Sequence, residues 1–149
     1  MISFRKILAT EAPAATILVR LLVGCVFLSE GIQKFLFAAD PHRGAARFAA
    51  LGFPAPEFTA SFVASFEIAC GILILLGFLT RLAVIPTITI MIVAIGTTKI
   101  PILLEHGFWD MAHAARTDFC MLLGSLFLLL VGAGRWSLDV RLGRIPKAG

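Results

Sequence analysis

Apolar runs, broken by isolated charges and by connections bearing glycine and proline, set the pattern of this 149-residue chain. Four runs read as membrane spans: Ala14–Phe37, Thr59–Leu79, Leu82–Ile100 and Arg116–Val131. The first is long enough to cross a hydrocarbon core of roughly 30 Å at ~1.5 Å rise per residue. It nevertheless carries Arg20, Glu30, Gln33 and Lys34. Wound at ~100° per residue, Arg20, Gly24, Phe27, Gly31 and Lys34 fall on one stripe, with Glu30 beside it. A charge facing lipid costs several kcal/mol, so this stripe faces other helices or a water-filled cavity. The pattern therefore predicts an all-α fold, a transmembrane four-helix bundle in one domain spanning residues 1–149.

The connections refine the picture. Asp40-Pro41 stops the first span, because proline disfavours helix at the residue before it. His42, Arg43, Ala46, Arg47, Phe48 and Leu51 then predict a short amphipathic helix lying at the membrane interface. Gly52-Phe53-Pro54-Ala55-Pro56 breaks it. In the second span Glu67, Gly71, Ile74 and Phe78 share a face that ends at Arg81, and Gly71 and Gly77 offer close approach to a neighbouring helix. Pro86 lies in the first turns of the third span, where a missing amide donor is best tolerated. Lys99-Ile100-Pro101 is predicted to end that span, leaving Ile102–Ala115 as a connection in which Phe108 and Trp109 anchor at the interface. Gly132-Ala133-Gly134 stops the fourth span, and Arg135-Trp136-Ser137-Leu138-Asp139 reads as an amphipathic tail.

Composition agrees with this pattern. The chain is 59% hydrophobic and only 15% charged, with a mean hydropathy of +0.97, too little polar surface for a soluble domain. The net charge of +4 does not point to nucleic acid, since the basic residues flank apolar spans and form no soluble basic face. Met1–Thr10, with Arg5 and Lys6, reads as a retained interfacial lead-in rather than a cleaved signal. Cys25, Cys70 and Cys120 are scattered within spans and make no disulfide framework. Counting Lys and Arg puts Arg5, Lys6, Arg81, Arg135, Arg141, Arg144 and Lys147 on one side, and Arg43, Arg47 and Arg116 on the other. The first side is expected to be cytoplasmic, with both termini inside a bacterial-type inner membrane.

The remaining charges suggest chemistry. With that topology Glu30, Lys34, Glu67, Lys99 and Asp118, drawn from all four spans, are expected at one outward level of the bilayer. One reading makes them interhelical clamps. The other makes them an outward polar pocket, in which carboxylates move protons and lysines bind a polar head. Arg20 either reaches the cytoplasmic boundary or pairs with Asp139 in the tail. His106, Asp110 and His113 form a weak metal-binding candidate that depends on a helical third connection, and no metal is expected. The spans contain no histidine to hold a haem, and phosphate-loop and dinucleotide motifs are absent.

Arg20, Gly24, Phe27, Gly31 and Lys34, followed by Phe48-x-x-Leu51-Gly52-Phe53-Pro54, resemble the opening of the DoxX family of membrane proteins. Glu67-x-x-x-Gly71 with Leu76-Gly77-x-x-Thr80-Arg81 resembles the family's second helix. His106-Gly107-Phe108-Trp109 and Gly132-x-Gly134-Arg135-Trp136-Ser137-Leu138-Asp139 resemble its later segments. The resemblance implies a four-helix inner-membrane protein related to the DoxD subunit of thiosulfate:quinone oxidoreductase. It carries Arg20, Lys34, Glu67 and Arg81 over as family positions, while Asp118 stands where a glutamate is expected. On this basis the chain is expected to be a redox-associated subunit with a quinone or other small lipophilic substrate in an outward polar pocket. Lys34, Arg20 and Lys99 would bind that substrate, Glu67, Glu30 and Asp118 would exchange protons, and Phe27 with Phe66 would supply apolar wall. No redox cofactor is built in, so electrons come from a partner subunit or a reduced substrate, and catalysis by the chain itself is left open. The alternatives are a non-catalytic membrane anchor for a soluble redox or sulfur-handling partner and, third, a small-solute transporter. The small-residue faces suit the bundle interior or a homo-oligomer equally.

Overall fold

The computed structural model describes Thr10 and residues 12–143, and these are helical with no strand among them. The order is α1 (Thr16–Leu36), α2 (Ala45–Ala50), α3 (Pro56–Leu76), α4 (Thr80–His106), α5 (Phe108–Val131) and α6 (Leu138–Gly143). Helices α1, α3, α4 and α5 are each long and apolar enough to cross a membrane. The expected lead-in up to residue 9, with Arg5 and Lys6, and Arg144 and Lys147 lie outside the described residues.

The bundle is built from two helix pairs. α1 packs chiefly on α3 and α4 on α5, while α3 meets α4 and α1 meets α5 more sparingly. The α1–α3 approach is close because glycine stands on both sides of it. A Cβ on Gly71 would come within 2.9 Å of the Leu28 nitrogen and 3.0 Å of the Gly24 oxygen, and one on Gly31 within 2.7 Å of the Ala64 oxygen. Gly24, Gly31 and Gly71 thus face the interior of the bundle. A core of Val23, Phe27, Cys70, Ile74, Ala83, Val84, Met121 and Leu128 fills the space between the pairs. Within it the Thr87 hydroxyl lies 3.2 Å from that of Ser125, joining α4 to α5.

Several boundaries differ from the expected ones. Gly77 is not a helix-contact glycine. It ends α3 in a left-handed turn at φ +64°, and a Cβ there would run into Arg20 and Ser137. Pro101 does not end the third span, and Pro86 and Pro101 both lie inside α4. Each removes one backbone hydrogen bond without stopping the helix. The stop comes at Gly107, whose φ of +89° separates α4 from α5 in a single residue. The expected Ile102–Ala115 connection is therefore helical, and α5 begins at Phe108 rather than Arg116. The short helix in the first connection is present as α2, packed on α3, with Phe48 against Phe53.

Candidate functional site

At the end where α1 begins and α5 finishes, the chain is tied by backbone carbonyls. Arg20 is buried, and its Nε donates to the Ile74 carbonyl at 2.9 Å. Its Nη1 donates to the carbonyls of Ala133 (3.3 Å) and Trp136 (2.5 Å), and its Nη2 to that of Leu75. Four of its N–H groups are thus committed to the end of α3 and to the segment after α5. Asp139 makes no ion pair with Arg20. Its carboxylate instead accepts from the amides of Leu79 (2.7 Å) and Thr80 (3.1 Å), satisfying the start of α4 and holding Leu79 in its left-handed conformation at φ +48°. The Asp139 amide donates to the Gly77 carbonyl, so the expected amphipathic tail is folded under the bundle. Arg81 reaches the Leu130 carbonyl from α4. This geometry makes Arg20, Gly77 and Asp139 a structural closure, and it draws Arg20 away from the substrate-binding role that the resemblance suggested.

Toward the opposite end, where α2 and the 107 turn lie, the charges form two sets. Lys34 on α1 meets Glu67 on α3, Nζ to Oε2 at 2.7 Å, with the two side chains 13% and 3% exposed. The contact is a short ion pair between two covered side chains. Glu30 stands 3.7 Å from Lys34 and is 52% exposed. The i, i+4 pairing expected along α1 is therefore the weaker of the two, and the buried acid across the helix pair holds the lysine. The second set is Lys99 on α4 with Asp118 on α5, at 3.1 Å. Reckoned by helix rise from the end where α1 begins, Lys34 lies about 27 Å along α1 and Lys99 about 28 Å along α4, with Glu67 about 13 Å and Asp118 about 20 Å from the ends of α3 and α5, so the two pairs overlap in depth.

Other expected residues separate. Phe27 is buried in the core, but Phe66 projects outward, 40% exposed, in a ladder with Phe58 and Phe62. The i, i+4 spacing of that ladder puts all three rings on the outer face of α3 and parts Phe66 from Phe27. His106, Asp110 and His113 do not assemble, and no group of three or more potential metal ligands occurs among the described residues. His106 ends α4 beside Glu105, and His113 turns to Arg116.

The structure adds a feature not foreseen in the sequence. An open cleft of about 440 Å³ lies between the first connection and the far part of α4, lined by His42, Arg47, Leu51, Thr97, Thr98 and Pro101 among others. Arg47 donates from Nη1 to the His42 carbonyl at 3.1 Å. Arg47 and His42 had signalled only an interfacial helix, and Pro101 only a helix end. Their juxtaposition depends on α2 folding back beside α4.

Comparison with known proteins gives this architecture a family. Residues 15–100 match the DoxX family model. The chain is 50% identical to the uncharacterized membrane protein Rv3486 of Mycobacterium tuberculosis, covering 98% of this chain and 92% of that protein. It is 30% identical to a Bacillus subtilis protein named "Putative oxidoreductase CatD", covering 83% and 84% of the two chains. No solved structure matches. The chain belongs to the DoxX family and is a membrane protein.

Proposed function

We propose that this DoxX-family protein is a redox-associated membrane subunit that binds a quinone, or a comparably small lipophilic molecule bearing oxygen, at the end of the bundle where α2 lies. The observation that carries the reading is the Lys34–Glu67 pair. It places a cation and a carboxylate 2.7 Å apart within apolar helices, with the lysine less deeply covered than the acid. Ionisable groups inside a membrane are costly, and they recur where ions, protons or substrates are handled. Lys34 supplies N–H donors for a ring oxygen, and Glu67 supplies a site that takes up or returns a proton. Reducing a quinone requires two electrons and two protons. Carboxylates handle only the protons, so the electrons are assigned to a redox partner or to a reduced small molecule. The printed name of the Bacillus subtilis relative supports the redox class without specifying a substrate. The excess of Lys and Arg beside the chain termini supports a bacterial-type inner membrane with both termini cytoplasmic, which puts α2 and the cleft outside.

A second reading has its own observation. Each ion pair joins two helices, Lys34–Glu67 across α1 and α3 and Lys99–Asp118 across α4 and α5, as clamps in a non-catalytic anchor would. Binding of decyl-ubiquinone to the full chain in phosphatidylcholine nanodiscs separates the two. Saturable binding above partition into empty discs, lost when Lys34 and Glu67 are replaced together by Met and Leu, is the expected result. Binding that never saturates, or that survives the double replacement, refutes the substrate reading and leaves the anchor.

A further inference from the structure

We infer that the cleft between α2 and α4 holds the phosphate of an anionic phospholipid, whose acyl chains lie against the outer surface of α4. The Lys34–Glu67 pair takes no part in it, and the occupant is distinct from the proposed substrate. The cleft, at about 440 Å³, is within the range of roughly 300–1,000 Å³ that small-molecule sites occupy. Its open mouth suits a head group that stays joined to its chains.

The charge of the lining is one-sided. Arg47 supplies a fixed positive charge, and no carboxylate lines the cleft among the described residues. The first connection has a second arginine, but that one is occupied. Arg43 Nε lies 3.6 Å from the Asp40 carboxylate, and its guanidinium stands 4.9 Å from the centre of the Phe37 ring. Arg47 makes no ion pair among the described residues, and its bond to the His42 carbonyl at 3.1 Å uses one of five N–H groups. The α4 wall adds no competing donor, because the Thr97 hydroxyl is given to the Val93 carbonyl at 2.8 Å and that of Thr98 to the Ala94 carbonyl at 2.6 Å. A guanidinium with unused N–H groups matches a phosphate, which can take two of them at once.

Depth supplies the second observation. α1 and α3, at 21 residues each, rise about 30 Å, the thickness of a hydrocarbon core. Measured from Thr80, Thr97 and Thr98 lie about 26 and 27 Å along α4, and Pro101 about 32 Å. The cleft therefore sits at the rim of the span, where the core gives way to phospholipid head groups. One turn nearer the middle, on the same stripe of α4 as Thr97, Val93 is 44% exposed, and Ile100 beside the cleft is 49% exposed. A Cβ on Gly96, between them, would meet open space. This bare apolar surface is continuous with the cleft and takes an acyl chain. A free phosphate would gain Arg47 and nothing from Leu51, Pro101 or that surface. A choline lipid brings the phosphate but neutralises it with its own ammonium, so a net anionic head such as phosphatidylglycerol is favoured.

The full chain in dodecylmaltoside is titrated with dioleoyl phosphatidylglycerol or dioleoyl phosphatidylcholine. Bound lipids are counted by native mass spectrometry, with thermal melting as the check on folding. The parent protein is expected to bind one phosphatidylglycerol about tenfold more tightly than phosphatidylcholine, the size of one charge-assisted hydrogen bond. Arg47→Gln is expected to lose that preference. Arg43→Gln removes the same charge from the same connection, but from a side chain already paired, and is expected to keep it. Ala50→Trp fills the cleft without changing any charge and is expected to lose the preference as Arg47→Gln does. It carries the test alone if Arg47→Gln does not melt cooperatively. Equal affinities in the parent, a preference that survives Arg47→Gln or Ala50→Trp, or an equal loss from Arg43→Gln overturns the inference. Full displacement of phosphatidylglycerol by millimolar glycerol phosphate overturns the lipid as occupant and assigns the cleft to a soluble phosphate.

Discussion

Removing one member of the Lys34–Glu67 pair is predicted to destabilise the bundle far more than removing both. At 2.7 Å and an effective dielectric of about 20, the gross attraction is about 6 kcal/mol. Most of that is offset by the cost of taking both ions out of water, since the side chains are only 13% and 3% exposed. Lys34→Met leaves the buried Glu67 without an ion-pair partner, and Glu67→Leu leaves Lys34 with Glu30, which is half in solvent. Each single replacement is expected to cost about 3–5 kcal/mol, the range for breaking a buried pair. Lys34→Met with Glu67→Leu substitutes apolar groups of similar volume, and the double variant is expected within about 1 kcal/mol of the parent. Unfolding midpoints in mixed detergent micelles, run as a double-mutant cycle, measure the coupling. Singles that each cost under about 1 kcal/mol, or effects that simply add, would refute the burial argument. A double variant that is stable yet fails to bind decyl-ubiquinone would show that the pair is retained for function and not for stability.

The closure at the other end yields two further predictions. Arg20→Lys keeps the charge but cannot fork across the carbonyls of Ile74, Leu75, Ala133 and Trp136, and a loss of about 3 kcal/mol or more is expected in the same unfolding assay. Asp139→Ala leaves the Leu79 and Thr80 amides unpaired and is expected to cost about 1–3 kcal/mol, whereas Asp139→Asn, which retains one carbonyl acceptor, should cost less. Two glycine replacements should differ in sign. Gly71→Ala sets a methyl against the backbone of α1 and is expected to cost about 1–3 kcal/mol, while Gly96→Ala meets open space and is expected to gain up to about 1 kcal/mol of helix propensity. Equal effects of the two would refute the close α1–α3 crossing.

The parts of this fold that were legible in the sequence are those governed by local periodicity. The stripe of Arg20, Gly24, Phe27, Gly31 and Lys34 follows from 3.6 residues per turn, and all but Lys34, which is largely covered, are buried. What failed were inferences about where a helix ends, and spacing along one helix did not rank the partners of Lys34, since both Glu30 and Glu67 meet it. Pro101 is a strong local stop signal, yet α4 tolerates it and runs on to Gly107, where positive φ provides the break. Glu30 is the partner that spacing along one helix suggests for Lys34. Glu67 takes the better contact because the glycine-mediated approach of α1 to α3 brings it closer, and that approach depends on packing between segments. The Gly134–Asp139 motif could be matched to a family but not explained, since its roles are to accept from Arg20 and to satisfy the start of α4. Both partners lie more than fifty residues away in sequence. The cleft had no signature at all, because its walls come from two segments with no periodic relation to one another.

The same contacts explain why the two ends of the bundle suit different tasks. Near Arg20 the helix pairs are tied to each other: Arg20 on α1 holds the segment after α5, Asp139 holds the start of α4, and Thr10 bonds the Val131 carbonyl and the Gly134 amide. At the far end each ion pair works within a helix pair, Lys34–Glu67 inside α1–α3 and Lys99–Asp118 inside α4–α5, and no ion pair among the described residues crosses between them. The charges therefore fix register within each pair while leaving the seam between the pairs free of ionic ties at that end. The cleft lies on that seam, with Arg47 of α2 on one side and Thr97 of α4 on the other. A bundle locked at one end and joined mainly by apolar packing at the other can separate slightly there without breaking an ion pair or its closure. Ion pairs that stiffen each half of the bundle are therefore compatible with a seam between the halves that no ion pair among the described residues closes.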